Sequence, residues 1–383
     1  MKWIEIIFWL CSFLVVYTNI LYPVLLFGLS FFKSRPRKMD QSHLPTVSML
    51  IAAHNEQEII AEKIENCIGL DYPRDKLEII IGSDASTDRT DEIVREHGHA
   101  CVRLVSFAER RGKASVLNDL AGLARGEVLI FSDANSIYRQ DAILRLVPHF
   151  ADQQVGGVCG QLVLLNQNGY YEAEGERFYW NYENELKRLE GKIKTVLGAN
   201  GAIYAIRREL FKSLPKDKVV TDDFLIPLNI VQHGFDVVYD AEAVVYEYAA
   251  PTLKLEFQRK VRIGAANFNG IREILPLLNP ARGFVAFGLW SHKIIRWFVP
   301  FFLLIALLVN LFLLPQFLYQ VTFAVQMCFY ALAVLSWRLS KFGRHASVFI
   351  LPYYFVVTNL ALLVGFFKFL TKSQKPAWTK VER

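Results

Sequence analysis

Four short polar stretches carry the side chains that chemistry uses: His54, Asn55 and Glu56; Asp84, Ser86 and Asp88; Arg110, Arg111, Gly112 and Lys113; Asp133 and Asn135. Singly, each has an ordinary structural explanation. Asp, Asn and Ser leave strands readily because their side chains bond their own backbone in turns, and Asp84 and Asp88 also suit the N-cap of a following helix. Gathered at one edge, acids, amides and a Gly-Lys pair suit a phosphate ligand, although carboxylates alone would repel it. A divalent cation between Asp133 and a diphosphate resolves that conflict, with Lys113 or arginines completing the neutralisation. Mg²⁺ commonly takes only one or two protein carboxylates and fills its octahedron with phosphate oxygens and water, so Asp133 suffices as the acid. Asn135, two positions on, supplies a neutral oxygen or bonds a bound water. The chain has no GxGxxG and no Walker lysine loop, which weighs against dinucleotide and ATPase readings.

The elements that must position these loops are visible as a repeated rhythm. TVSMLIAA precedes NEQEIIAEKIENCIGL, LEIIIGSDAS precedes TDRTDEIVREHG, CVRLVS precedes GKASVLNDLAGLARG, and EVLIFSDA precedes RQDAILRLVPHF. Short β-rich runs alternating with helical stretches predict an α/β domain with a mostly parallel sheet, since parallel strands need a long crossover. In such sheets ligands bind beyond the carboxyl ends of the strands, which is where all four polar stretches fall.

Outside this middle region the 383 residues turn apolar, lifting the apolar fraction to 53% and the aromatic fraction to 14%, above that of an ordinary soluble protein. Residues 1–32 contain an uncharged run longer than the roughly 20 residues a helix needs to cross a bilayer, ending in the basic cluster Lys33, Arg35, Arg37 and Lys38. A cleavable signal would have a shorter apolar core. Positive charge marks the cytoplasmic side, so the basic linker 33–44 places the domain 45–275 in the cytoplasm. The segment 276–298, with Arg282, His292, Lys293 and Arg296 among aromatics, is expected at the membrane interface. Residues 299–370 hold two or three further spans, before a basic tail 371–383; three spans would put that tail outside, against the charge rule, and the number stays open. The net charge of +6 comes largely from juxtamembrane clusters and suits anionic lipid headgroups in a bilayer, not nucleic acid. The five cysteines have no metal-type spacing.

AAHNE (Ala52 to Glu56), GSDASTD (Gly82 to Asp88), RRGKASVLN (Arg110 to Asn118), FSDAN (Phe131 to Asn135), LGANGAIYAIRR (Leu197 to Arg208), VTDDFLIPL (Val220 to Leu228) and FQRKVRIGAANF (Phe257 to Phe268) together resemble a family 2 glycosyltransferase. With the flanking apolar segments they are similar to its membrane-bound polysaccharide synthases, the cellulose, chitin and hyaluronan synthases among them. The resemblance implies a glycosyltransferase A-type fold and inverting transfer from a UDP-sugar donor to a polysaccharide or polyprenyl-linked glycan acceptor. It further implies Mg²⁺ or Mn²⁺ as cofactor and a multi-pass place in the inner or plasma membrane.

Carried over by position, Ala53, Asn55, Glu56 and Asp84 would bind the donor, Glu56 and Asp84 at its uridine; Lys113 would support the nucleotide, and Asp133 with Asn135 would take the metal. Asp223, beside Asp222, would be the base; Gly198, Ala199, Asn200 and Gly201 would sit by the acceptor. Arg259 and Arg262 would stand near the diphosphate. Asn135 replaces the family's second acid. Ile263 replaces the tryptophan associated with chain elongation, so repeated and single addition both stay open.

Several of these residues keep a structural alternative. Asp222 and Asp223 also suit the first turn of a helix, where acids favour the dipole. Arg259 and Arg262, three apart on one helical face, also suit lipid headgroups. Trp180 in ERFYWNYENELKR either stacks on a sugar or packs, and His292 is expected at the interface and not in catalysis. Two other classes compete with transfer of a sugar. A nucleotidyltransferase would bring a glycine-rich basic loop after the first strand, where this chain has the acidic HNEQE; a non-catalytic membrane binding protein would need none of the acids.

Overall fold

The structure, a computed structural model, describes residues 2–32, 37–165, 171–249, 252–341 and 350–374. The four apolar runs become β1 (Val47–Ala53), β2 (Leu77–Asp84), β3 (Val102–Phe107) and β4 (Val128–Asp133). They pair in parallel with β1 between β2 and β4, and β3 beyond β2. Every residue of β1 is buried, as an inner strand covered on both faces requires, and an unbroken apolar run is what that demands.

β5 (Ile137–Tyr138), β6 (Val155–Leu165), β7 (Tyr204–Arg207) and β8 (Asp236–Tyr248) complete a mixed sheet in the order β3-β2-β1-β4-β7-β6-β8-β5. β7 runs antiparallel to both β4 and β6, while β6 and β8 are parallel. The register puts Ala52 opposite Asp133 and Ala53 opposite Ser83. Three strands therefore end level, and their loops share one edge.

Two cores flank the sheet. Met49 and Ile51 pack with Ile60 and Ile64 of the helix Ile60–Ile68, while Leu50 and Ala52 pack with Val116 and Leu120 of the helix Lys113–Leu123. That second helix lies so close that a Cβ on Gly82 would stand 2.5 Å from Val116 Cγ1. The start of the helix, Lys113, is thereby fixed against the sheet edge.

Three of the described helices are long and apolar enough to cross a membrane: Lys2–Phe32, Phe317–Leu339 and Ile350–Leu370. The segment expected at the interface forms the helix Phe284–Trp297, which meets Val299–Leu313 at 58°. Pro300 opens that second helix, and its missing N–H and fixed φ explain why the first helix does not run on. Lys33, Arg35 and residues 375–383 of the basic tail lie outside the described residues, as does most of the loop RLSKFGRH.

One expectation at the membrane boundary is corrected. Arg37 is no headgroup cation: it pairs with buried Asp236 at 3.0 Å and donates to Lys194 O at 2.6 Å, closing the start of β8. His292 is packed inside the protein, 1% exposed, its Nδ1 2.7 Å from Glu190 Oε1, which also accepts from Tyr22. Burying that many polar groups requires that each find a partner, and here the partners come from the first apolar helix and from the helix Tyr171–Ile193.

Candidate active site

The edge formed by the level strand ends opens into a cavity of about 320 Å³, within the usual range for a small-molecule site. Its wall includes Glu56, Lys113, Asp133, Asn135, Asp222 and Asp223, with Trp180, Gly201, Arg259 and Arg262 completing the set. Residues from six separate motifs thus meet in one cleft.

Lys113 organises the acids. Its Nζ lies 2.7 Å from Asp133 Oδ1 and 3.0 Å from Asp222 Oδ1. Burial works against the ammonium, but Asp133 and Asp222 outweigh it and raise its pKa. The other oxygen of Asp222 accepts from the Tyr204 hydroxyl at 2.9 Å. Asp222 is therefore held on both sides and 6% exposed, whereas Asp223 is half-buried and opens on the cleft. Burial first, and the neighbouring Asp222 second, push the Asp223 carboxyl up to about 6, against the pull of Lys113 and Lys187. Both acids stand in the first turn of the helix Asp222–Gln232, so the helix-dipole role and the cleft-facing role coincide.

Gly201 lies between the two acidic centres. A Cβ there would come 3.3 Å from Asp223 Oδ2 and 3.7 Å from Asp133 Oδ2, so those oxygens are no farther apart than the two distances laid end to end. The rest of its turn faces inward. Gly198 adopts φ 120°, Ala199 N–H donates to Asp223 O at 2.7 Å, and Asn200, fully buried, accepts from Lys187 and donates to Gly160 O. Ala199 thus holds the backbone of Asp223, and of the four only Gly201 lines the cavity.

The nucleoside-side residues divide likewise. Asp84 is fully buried, and its two oxygens accept from the backbone N–H groups of Arg111 and Gly112 at 2.8 and 2.9 Å. It clamps the loop that delivers Lys113. Asn55, at φ 57°, accepts from Thr87 N–H at 2.8 Å and ties the loops after β1 and β2 together. Ala53 is fully buried. Of these four, Glu56 alone lines the cavity.

Arg259 is ion-paired with Glu176 and, at 2.7 Å, with Glu256; Tyr354 of the last apolar helix donates to Glu256 at 3.1 Å. Arg262 and Ile263 reach the cavity wall. Trp180 also faces the cavity, with the Lys187 ammonium 5.4 Å from its ring centroid.

Sequence reasoning missed Tyr204, Lys187, Glu247 and Lys63. Lys63 is fully buried and donates to Ser132 Oγ at 2.8 Å and Ser136 O at 2.5 Å, gripping the chain on both sides of Asp133. A lysine on the apolar stripe Ile60, Ile64, Cys67 is the signal that would have found it.

A hard divalent cation fits this donor set. Among the described residues no three His, Cys, Asp or Glu side chains are grouped to enclose a metal, but a cation that completes its shell from phosphate and water needs only one or two carboxylates. Asp133 Oδ2 points toward the space beside Gly201. The buried Nδ2 of Asn135 has no hydrogen-bond partner, which suits an acceptor oxygen arriving with the ligand.

The model of the family "Glycosyl transferase family 2" matches residues 48–214, which include Lys113, Asp133 and Gly201. The probable glycosyltransferase YdaM of Bacillus subtilis is 28% identical over 241 residues, covering 60% of this chain and 56% of that protein. A beta-monoglucosyldiacylglycerol synthase of Nostoc sp. is 29% identical over 217 residues, 53% of this chain and 46% of its own length. The poly-beta-1,6-N-acetyl-D-glucosamine synthase of Staphylococcus aureus is 26% identical over 234 residues, 58% and 55% respectively. The match spans about half the length of these curated relatives. In fold, the mannosyltransferase of Pyrobaculum calidifontis, solved in complex with GDP-Man and Mn²⁺, superposes with a TM-score of 0.73 at 23% identity, over 97% of this chain and 100% of that one. The glycosyltransferase A-type fold expected from the sequence is the fold observed. Residues 48–214 therefore match a glycosyl transferase family 2 domain.

Proposed function

We propose that the protein is a membrane-bound inverting glycosyltransferase that moves a sugar from a nucleotide diphosphate donor, UDP-sugar first, to a hydroxyl of a glycan or glycolipid. The observation that carries the reading is the pair Asp133 and Asp223, brought to one cavity on either side of Gly201. Printed names of relatives, a glycolipid synthase and a polysaccharide synthase, support the acceptor class.

In this reading the acceptor oxygen attacks the anomeric carbon as Asp223 takes its proton, and the bond to the diphosphate breaks with its electron pair on the leaving phosphate. A carboxyl with a pKa near 6 is ionised at neutral pH yet a stronger proton acceptor than an ordinary aspartate, as general-base work demands. The diphosphate gains charge as it leaves, and preorganised cations stabilise that state. Lys113, held by Asp133 and Asp222, and Arg262 on the cavity wall supply them, while Arg259 is steadied by Glu176 and Glu256. Asp133, with Asn135, would hold Mg²⁺ or Mn²⁺, which would contribute Lewis-acid neutralisation of the diphosphate. Asp84 and Asn55 act by fixing the loops, and Glu56 is the residue at the cleft for the nucleoside. The apolar helices hold the domain at a membrane, with the catalytic side cytoplasmic.

The test is nucleotide release from a panel of UDP-sugars and GDP-mannose by the purified full chain in Mn²⁺, Mg²⁺ or EDTA. Release from at least one donor, dependent on the cation and abolished in Asp223→Asn, is expected. No release from any donor overturns the reading.

A further inference from the structure

A second and larger cavity, of about 730 Å³, lies among the apolar helices. Along the helix Lys2–Phe32 its wall is a single stripe, Phe8, Ser12, Val15, Val16 and Asn19, at the spacing of one helical face. From Phe8 to Asn19 that stripe rises about 17 Å at 1.5 Å per residue, roughly half the ~30 Å hydrocarbon thickness of a bilayer. The opposite wall comes from Val321, Val325 and Phe329, and from Leu351 and Phe355. An apolar hollow of this size, surrounded by helices long enough to cross a membrane, has little to offer water. One leaflet's depth of hydrocarbon fills it.

The end nearest the sheet domain is different. There Tyr179 and Tyr182 of the helix Tyr171–Ile193 face the cavity, with Arg296 between them, its guanidinium 5.4 and 5.3 Å from their ring centroids. Arg296 is ion-paired with Glu183. Lys260, 3.8 Å from the Tyr179 ring centroid, is paired with Glu256 at 3.4 Å. Glu183 is shared with Lys293 and Glu256 with Arg259, and Glu176 and Glu190 stand beside them, so the cations Arg259, Lys260, Lys293 and Arg296 are matched by as many acids and the wall offers aromatic faces and hydrogen-bonding groups instead of a net positive charge. Trp180, next in sequence on the same helix, faces the catalytic cleft. One helix thus separates the polar end of the hollow from the site of transfer.

We infer that this cavity holds the hydrocarbon chains of one membrane lipid with an uncharged, hydroxyl-bearing head, and that this lipid is the sugar acceptor. The inference rests on the glycosyltransferase reading and narrows its acceptor. The cavity brings the lipid in from the leaflet beside the catalytic domain, and the Tyr179–Tyr182 wall selects against a phosphate head.

The full chain, reconstituted in phosphatidylglycerol vesicles doped with diacylglycerol carrying a terminal diazirine on one chain, tests this. Irradiation is expected to label Ser12, Val15, Val325 or Phe355, and Val325→Trp to weaken that label and raise the KM for diacylglycerol by about tenfold, the signature of lost acceptor binding. Val325 is 66% exposed, so a larger side chain there displaces no core packing, and a thermal melt of the variant checks that it folds. Leu10→Trp, on the opposite face of the first helix and 54% exposed, is expected to change neither. Equal labelling of outward residues such as Phe13 and Leu25 would reveal annular lipid only, and transfer confined to phosphate-headed lipids or soluble glycans would refute the uncharged head. Absence of nucleotide release from every donor sinks the enzyme reading separately, and the labelling pattern still decides the cavity.

Discussion

Asp133 and Asp223 come from distant parts of the chain, yet a single methyl group placed on Gly201 would touch both, at 3.7 and 3.3 Å. The backbone of Gly201 is not in the left-handed region, so alanine is tolerated there conformationally. What it removes is room. Gly201→Ala is expected to lower kcat/KM by about 100-fold, the order of loss from misplacing reacting groups by a fraction of an ångström to one ångström, with little change in Tm. Steady-state kinetics beside a thermal melt would check it; a full loss of Tm would place the defect in folding instead.

The raised carboxyl of Asp223 makes two linked predictions about pH. Activity falls as pH drops through about 6, where the base becomes protonated. For stability the sign is the reverse of a salt-bridged acid: the folded pKa lies above the unfolded value of about 3.9, so between those two values the folded state binds more protons and stability declines as pH rises. Asp223→Asn is expected to abolish transfer while raising stability near neutral pH, by roughly 1 kcal/mol after discounting for the half-exposed side chain. Below the unfolded value the stability difference should vanish. Urea unfolding at several pH values reads the sign directly.

Lys113 pulls that same pKa down. In Lys113→Met the acidic limb of kcat/KM should therefore move to higher pH, alongside a fall in kcat. An unmoved limb would mean that Lys113 acts on the donor alone.

Tyr354 donates to Glu256, the partner of Arg259. Tyr354→Phe removes that hydrogen bond to a carboxylate, worth about 1.5–3 kcal/mol, and is expected to raise the donor KM severalfold with kcat little changed. An unchanged donor KM beside a lowered Tm would reduce the contact to packing.

Lys63 grips the backbone on both sides of Asp133 through Ser132 and Ser136. Lys63→Met leaves Ser136 O without that donor and is expected to cost about 1–3 kcal/mol. It should also weaken Mn²⁺ binding, measured as the half-saturating concentration for nucleotide release. Unchanged Mn²⁺ dependence with lowered stability would assign Lys63 to the core alone.

The sheet and the edge where its loops meet were legible because apolar runs and polar turns alternate strictly between Thr46 and Phe150, and parallel pairing then leaves one place for the turns. The direction of each carboxylate at that edge was not legible. Asp133 and Asp84 both close a β-strand, but one faces the cavity and the other turns back onto two backbone N–H groups. That choice depends on where the Arg110–Lys113 loop lands, which no local pattern encodes. Tyr204 was hidden for a related reason: within an apolar strand its ring promises burial, and only the packed sheet reveals that its hydroxyl reaches Asp222. The packing of His292 was hidden in the same way, because its acid partners, Glu183 and Glu190, are brought in from another helix.

The helix Leu253–Ile274 carries both cleft arginines, and it leans on the final apolar helix so closely that a Cβ on Gly365 would meet Val261 O at 2.8 Å and Ala265 N at 2.9 Å. A shortened version ending before residue 350 would strip the backing from the arginines' own scaffold while leaving the eight-stranded body intact. Such a truncate should still fold and grip metal, yet turn over donor feebly, so attempts to liberate a water-soluble enzyme by trimming its oily end would discard part of the catalyst.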